Sequence, residues 1–135
     1  MNNQQTQIKE SSVKKFIPGI AWFFLILILI CFPGSKIPQV ETWLNDIYFD
    51  KWVHAGLFAV LTFLFIYPVT RLTFSGEIKR NTALKIAIAA CIWGLTTEFI
   101  QKFFIPDRSF DFFDLGADSL GVIAGYIWCR IKYLK

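Results

Sequence analysis

The chain has 135 residues, of which 55% are hydrophobic, with mean hydropathy +0.48 and net charge +4. That composition is too apolar for an ordinary soluble domain of this length and leaves no room for a separate soluble unit beside the apolar runs. The pI near 9.1 does not point to nucleic acid. The basic residues do not form one stripe but alternate between the gaps that separate the apolar segments.

Residues 1–12 are polar and aperiodic and read as a disordered cytoplasmic tail; residues 13–135 read as one membrane domain. Four apolar runs follow, at 16–32, 52–70, 86–104 and 115–129. A spanning helix takes ~20 mostly apolar residues, so four of them nearly fill the chain. The first run follows Lys14 and Lys15 as a signal peptide would, but it lacks a small-residue cleavage site, and Ile30 precedes Cys31 where a lipoprotein signal wants a small residue. It reads as an uncleaved anchor, with Pro18 tolerated in its first turn and Pro33-Gly34 ending it. Between 40 and 49 the residues Val40, Trp43, Leu44, Ile47 and Tyr48 recur at helical spacing. They predict a short helix lying on the outer interface. The second helix is expected from near Asp50 to Pro68, the third from about Asn81 to Phe104 with Pro106 closing it, and the fourth from near Asp111 almost to the carboxyl end. Cys31, Cys91 and Cys129 lie far apart in apolar surroundings, without metal-ligand spacing, and read as small packing groups.

Charge sets the orientation. Lys9, Lys14, Lys15, then Arg71, Lys79, Arg80, Lys85, then Arg130, Lys132, Lys135 occupy the amino tail, the second gap and the carboxyl tail. Basic segments stay cytoplasmic, so both termini are expected inside. The acids Glu41, Asp46, Asp50, Glu98, Asp107, Asp111, Asp114 and Asp118 all fall in or beside the two outer gaps.

Three ionisable residues, His54, Glu98 and Asp118, interrupt apolar runs. At ~1.5 Å per residue, Glu98 stands roughly 20 Å from Lys85, Asp118 roughly 18 Å from Arg130, and His54 roughly 25 Å from Arg71. All three therefore fall at one level in the outer half of a ~30 Å hydrocarbon layer. An acid near the bilayer centre costs ~2.5–3.5 kcal/mol, so such groups need partners or water, and they read as a functional site by default. A polar knot that only holds the helices together accounts for the same residues. Glu98 and Gln101 share a helix face, as do Asp111, Asp114 and Asp118, and Gly121 and Gly125 continue that face as a G-x-x-x-G that permits close helix approach. Asp50, Lys51 and His54 open the second helix, and Arg108 offers a bidentate counter-charge to a carboxylate or phosphate. The inventory suits either a divalent metal or a metal-free lattice pairing Lys51 with Glu98 and Arg108 with Asp114. No Ser-His-Asp motif, Walker loop or Gly-rich phosphate cradle is present.

Asp50-Lys51-x-x-His54 with Phe58, Glu98-x-x-Gln101, Arg108, Asp111, Asp114, Asp118 and Gly121-x-x-x-Gly125, in that order, resemble the VanZ-like membrane proteins across residues 20–130. Asp118 departs from the resemblance, the family often carrying Asn there. The resemblance implies a small multi-span protein of the bacterial cytoplasmic membrane, in a family whose name-giving member is associated with low-level teicoplanin resistance. Two functions are open on this reading. One is a binding protein whose outer-leaflet site takes a lipid phosphate or a lipophilic glycopeptide. The other is an intramembrane, metal-assisted hydrolase or transferase acting on a lipid phosphate headgroup. A transporter is disfavoured because the polar groups lie away from the midplane. The oligomeric state is not legible.

Overall fold

A computed structural model describes residues 13–33 and 48–135. The expected amino-terminal tail lies outside them, as does almost all of the interfacial helix expected in the first outer gap. The described residues are all-helical, without a strand: α1 Ile17–Ile30, α2 Phe49–Thr70, α3 Gly76–Phe104 and α4 Phe112–Tyr133. Two of these, α2 and α3, are long and apolar enough to cross a membrane.

The helix ends differ from the sequence expectation in ways local chemistry explains. Helix α3 begins at Gly76 rather than near Asn81, because the Ser75 side chain accepts the Ile78 N–H at 3.3 Å and Glu77 sits in the positive first turn. Pro68 does not end α2, which continues to Thr70. The Thr70 hydroxyl donates to the Tyr67 carbonyl, and the Lys79 ammonium donates to the Thr70 carbonyl at 3.0 Å. Helix α1 has 14 residues, roughly 21 Å of axis, which alone is shorter than a hydrocarbon layer.

The helices run alternately up and down, with α2 and α4 sharing the most extensive contact. Glycine makes that contact possible. A Cβ on Gly121 would fall on the backbone carbonyl of Ala55, and one on Gly125 would come within 2.6 Å of the Ala59 carbonyl oxygen. The two backbones therefore touch without side chains between them. Helix α3 joins through Ala83, Ala87, Ala90 and Gly94, all buried on one face. Helix α1 packs by Ile26 and Ile30 against the core around Phe58, and Trp22 donates its indole N–H to the Leu57 carbonyl at 2.9 Å.

The distribution of polarity is the reverse of a water-soluble domain's. Glu98 and Asp118 are fully buried, and Gln101, Asp114, Thr62 and Thr97 are buried with them. The outward faces instead carry Phe24, Ile28, Ile88, Ile92, Leu120, Ile127 and Ile131, all exposed.

Glycine substitution tests the seam. Gly125→Leu is expected to lower stability by ~1–3 kcal/mol or more through overpacking. Gly116→Ala, where an added Cβ meets nothing within 4 Å, is expected to raise it by ~0.5–1 kcal/mol through helix propensity. Thermal unfolding in detergent reads both.

Candidate functional site

The antiparallel order brings the start of α2, the end of α3 and the start of α4 to one end of the bundle. Each contributes charged side chains, and its neighbours hold them in place. Asp111 caps α4, its carboxylate accepting the Phe113 N–H at 2.7 Å. Its own N–H donates to Glu98 Oε2 at 2.9 Å, which ties the start of α4 to the end of α3.

Two connected groups form. At the rim, Lys51 Nζ lies 2.8 Å from Asp50, 2.8 Å from Asp111 and 2.5 Å from Asp114. The Lys51 ammonium, followed by the Phe113 N–H, holds the Asp111 carboxyl below the usual carboxylate range, against the opposing effect of partial burial. Deeper, His54 Nδ1 is hydrogen-bonded to Asp118 Oδ1 at 2.9 Å, and His54 Nε2 faces Asp114 Oδ2 at 3.7 Å. One donor atom from each of His54, Glu98 and Asp118 lies within 4.8 Å of the other two, so α2, α3 and α4 each supply one potential metal ligand. Glu98 Oε1 and Asp118 Oδ2 are buried without a hydrogen-bond partner among the described residues.

Partner choice corrects two expectations. Lys51 pairs with Asp50, Asp111 and Asp114 rather than with Glu98, because Glu98 is engaged by the Asp111 backbone one helix layer further in. Arg108 does not pair with Asp114 among the described residues, and its Nε is buried without a partner there. Asp114 also sits deeper than a water-exposed carboxylate, its side chain only 11% exposed against 60% for Asp50. Gln101 is buried on the same α3 face as Glu98. Gly121 and Gly125 lie below the cluster on α4, against α2.

Gly94 is a contributor that motif reading missed. A Cβ there would stand 3.2 Å from Asp118 Oδ2, so the absence of a side chain makes room for that carboxylate. The signal was present: Gly94 stands four residues before Glu98 and continues the stripe of Ala83, Ala87 and Ala90. Beside the cluster, a groove of ≈ 500 Å³ runs down the outer seam of α2 and α4 from Lys51, lined by Ala55, Ala59, Gly121 and Ala124 among others.

These features define an all-helical bundle with spanning-length helices and a buried polar cluster at one end. The profile of the VanZ/LLP1 family matches residues 2–133, and the chain belongs to that family. No curated protein matches the chain, and no solved structure does.

The rim pair gives a pH prediction. A carboxyl whose folded pKa is depressed contributes stability that is present above its unfolded value, ~3.9, and lost as pH falls through the folded value. The penalty of Asp111→Asn relative to the native chain is therefore expected to be small at pH 7, ~0–1 kcal/mol for so exposed a pair, and to shrink below about pH 4. Asp114→Asn is expected to cost more, ~1.5–3 kcal/mol, because a buried charged hydrogen bond is lost. Melting temperatures of the three proteins between pH 3 and pH 7 check both statements.

Proposed function

We propose that residues 13–135 form a multi-pass domain of the bacterial cytoplasmic membrane, with both termini cytoplasmic and the polar cluster at the outer leaflet. There the cluster binds a cell-envelope ligand through its anionic headgroup, a lipid phosphate in the first instance. The observation that carries this reading is the pairing of a charged cluster with an apolar groove that starts beside it. Lys51 stands at both, and the groove lined by Ala55, Ala59, Gly121 and Ala124 follows the bundle axis, as an acyl chain in the bilayer would. The outward apolar faces support solvation by lipid, since exposed apolar area on this scale is not stable in water. Trp52, Phe103, Phe104, Phe112 and Phe113 are exposed around the cluster end, consistent with a ring of aromatic groups at headgroup level. The basic residues Arg71, Lys79, Arg80, Arg130 and Lys132 gather at the opposite end, consistent with a cytoplasmic face.

A second reading is favoured by one specific feature, the convergence of His54, Glu98 and Asp118 inside the bundle. Such a set belongs to a metal-assisted hydrolase or transferase acting on the same headgroup. Both readings take the same ligand class and differ in whether it leaves unchanged.

Cysteine labelling is expected to reach positions near Lys79 only from the cytoplasm and positions near Asp107 only from outside. Labelling of Asp107 from the cytoplasm overturns the outer-leaflet assignment. For the ligand, native mass spectrometry of protein released from vesicles of mixed anionic and neutral phospholipid is expected to show retained anionic lipid. Arg108→Ala should weaken retention roughly 10- to 100-fold, the value of a charge-assisted contact, and Lys51→Ala should weaken it less, because three carboxylates already engage that ammonium. Retention of a lipophilic glycopeptide instead would identify the other ligand class. Variants that fail to accumulate in the membrane, with no lipid retained by the native chain, would leave the cluster a structural knot.

A further inference from the structure

We propose that His54, Glu98 and Asp118 bind a divalent transition-metal cation, Zn2+ or Mn2+, at the junction of α2, α3 and α4. The first argument is geometric. Three helices each deliver one donor atom, and the three atoms lie within 4.8 Å of one another. Metal–ligand bonds of ~2.0–2.2 Å place ligand atoms somewhat closer than this around a shared ion, a change that side-chain rotation supplies without moving a helix.

The second argument is independent of the clustering. Glu98 and Asp118 have no solvent exposure, yet Glu98 Oε1 and Asp118 Oδ2 have no hydrogen-bond partner among the described residues. A buried carboxylate oxygen left without a partner costs ~1–3 kcal/mol or more. Two such oxygens at one junction are two vacant donor positions. Charge points the same way. Lys51 answers Asp50, Asp111 and Asp114 at the rim, so the cation facing the two inner carboxylates is at most His54. A protonated imidazole balances one carboxylate; a divalent ion balances both.

The donor set selects the metal. Mg2+ and Ca2+ favour all-oxygen shells, whereas one imidazole with carboxylates suits Zn2+ or Mn2+. The surroundings of His54 fit a ligand. Its Nδ1 faces Asp118, while Nε2 faces Asp114 at 3.7 Å, and Lys51 anchors Asp114 in turn. A metal-bound histidine is ordinarily oriented by a carboxylate on its far nitrogen. Gly94 carries no Cβ that would crowd Asp118 Oδ2 at 3.2 Å. Three protein ligands also leave a coordination position open. There a headgroup phosphate would gain a further cationic contact beside carboxylates that repel it, a consequence that rests on the ligand reading above. The metal site itself does not.

The test uses the full chain in detergent, stripped with chelator and titrated with Zn2+ or Mn2+ alone. Stoichiometric uptake is expected by elemental analysis and calorimetry, with a rise in melting temperature. Glu98→Gln and Asp118→Asn should each weaken binding by more than ~100-fold, and Asp114→Asn by the ~10- to 100-fold typical of a group that orients a ligand. Glu77→Gln, at the opposite end of the bundle, should bind as the native chain does. Absence of uptake by the native chain overturns the proposal, as does uptake that survives both Glu98→Gln and Asp118→Asn. Should those variants misfold, Co2+ added to the native chain decides. A visible band of bound cobalt that Zn2+ displaces supports the site, and the spectrum of hydrated cobalt alone overturns it. Lipid retained by the metal-free protein would leave the ligand reading standing after the metal had failed, and metal bound without lipid would do the reverse.

Discussion

Two fully buried carboxylates, Glu98 and Asp118, set the terms for the rest of this molecule. Moving an ionised carboxylate out of water costs several kcal/mol even after the protein relaxes, and a surrounding of lipid would offer no water in compensation. The bundle has to supply partners from its own helices, and it does so from two of them. His54 reaches Asp118 from α2, and the Asp111 N–H reaches Glu98 from the first residue before α4. These bonds are possible only if the helices stand unusually close. That closeness comes from the small residues below the cluster: Gly121 and Gly125 let α4 meet the backbone of α2, and Ala83, Ala87, Ala90 and Gly94 bring α3 in. Packing and polar chemistry are therefore one construction, since loosening the seam would also separate the charged partners above it.

The parts of this arrangement that depend on periodicity were legible in the sequence. Apolar runs at helical length, broken by Pro and by charge, predict the all-helical class, and the ordered motifs identify the family that the profile match establishes. Features that depend on helix rotation and relative height were not legible. Lys51 could have reached Glu98 or the carboxylates of α4. The choice is made by the orientation of α3, which turns Glu98 toward the Asp111 amide. Asp114 lies near a helix start, where nothing in the sequence marks it as buried, yet contact with α2 on that face buries it. The start of α3 was misplaced for a different reason. The Ser75 cap lies outside the apolar run, and apolar content measures how far a helix is buried in lipid, not how far it extends beyond it. With 29 residues, α3 is roughly 43 Å long, more than a ~30 Å layer requires.

A phosphate-binding site and a carboxylate-rich site make opposite electrostatic demands, and the cluster has features of both. Asp50, Asp111 and Asp114 already occupy the Lys51 ammonium, so that cation has little positive potential left to offer an anion. Arg108 differs, because its Nε has no partner among the described residues. Any account in which the cluster receives a phosphate must therefore draw on Arg108, on a cation brought in with the ligand or held beforehand, or on both. The charge of Asp118 bears on the same balance. An amide there would still accept a hydrogen bond from His54, but it would add no charge, and the inner pair would be reduced to Glu98 alone.

Helix α4 combines the two requirements in a single face. From Asp111 through Asp114 and Asp118 to Gly121 and Gly125, the side chains change from rim charge to buried charge to none. Each step suits the depth at which the face meets α2. At the rim, Lys51 has length enough to gather Asp111 and Asp114 across the gap between helices, with Asp50 beside it on α2. One turn lower the gap admits only an imidazole against a carboxylate. Two turns lower it admits nothing, and the backbones touch at Ala55 and Ala59. Directly above that contact, Lys51 and His54 of α2 face Asp114 and Asp118 of α4, and the polar side chains collect there. Because the glycines let the two backbones meet just below the cluster, a change that widens the lower seam would lengthen the His54–Asp118 and Lys51–Asp114 distances together. Stability and any chemistry at the cluster are for that reason coupled along α4, rather than divided between its lower and upper halves.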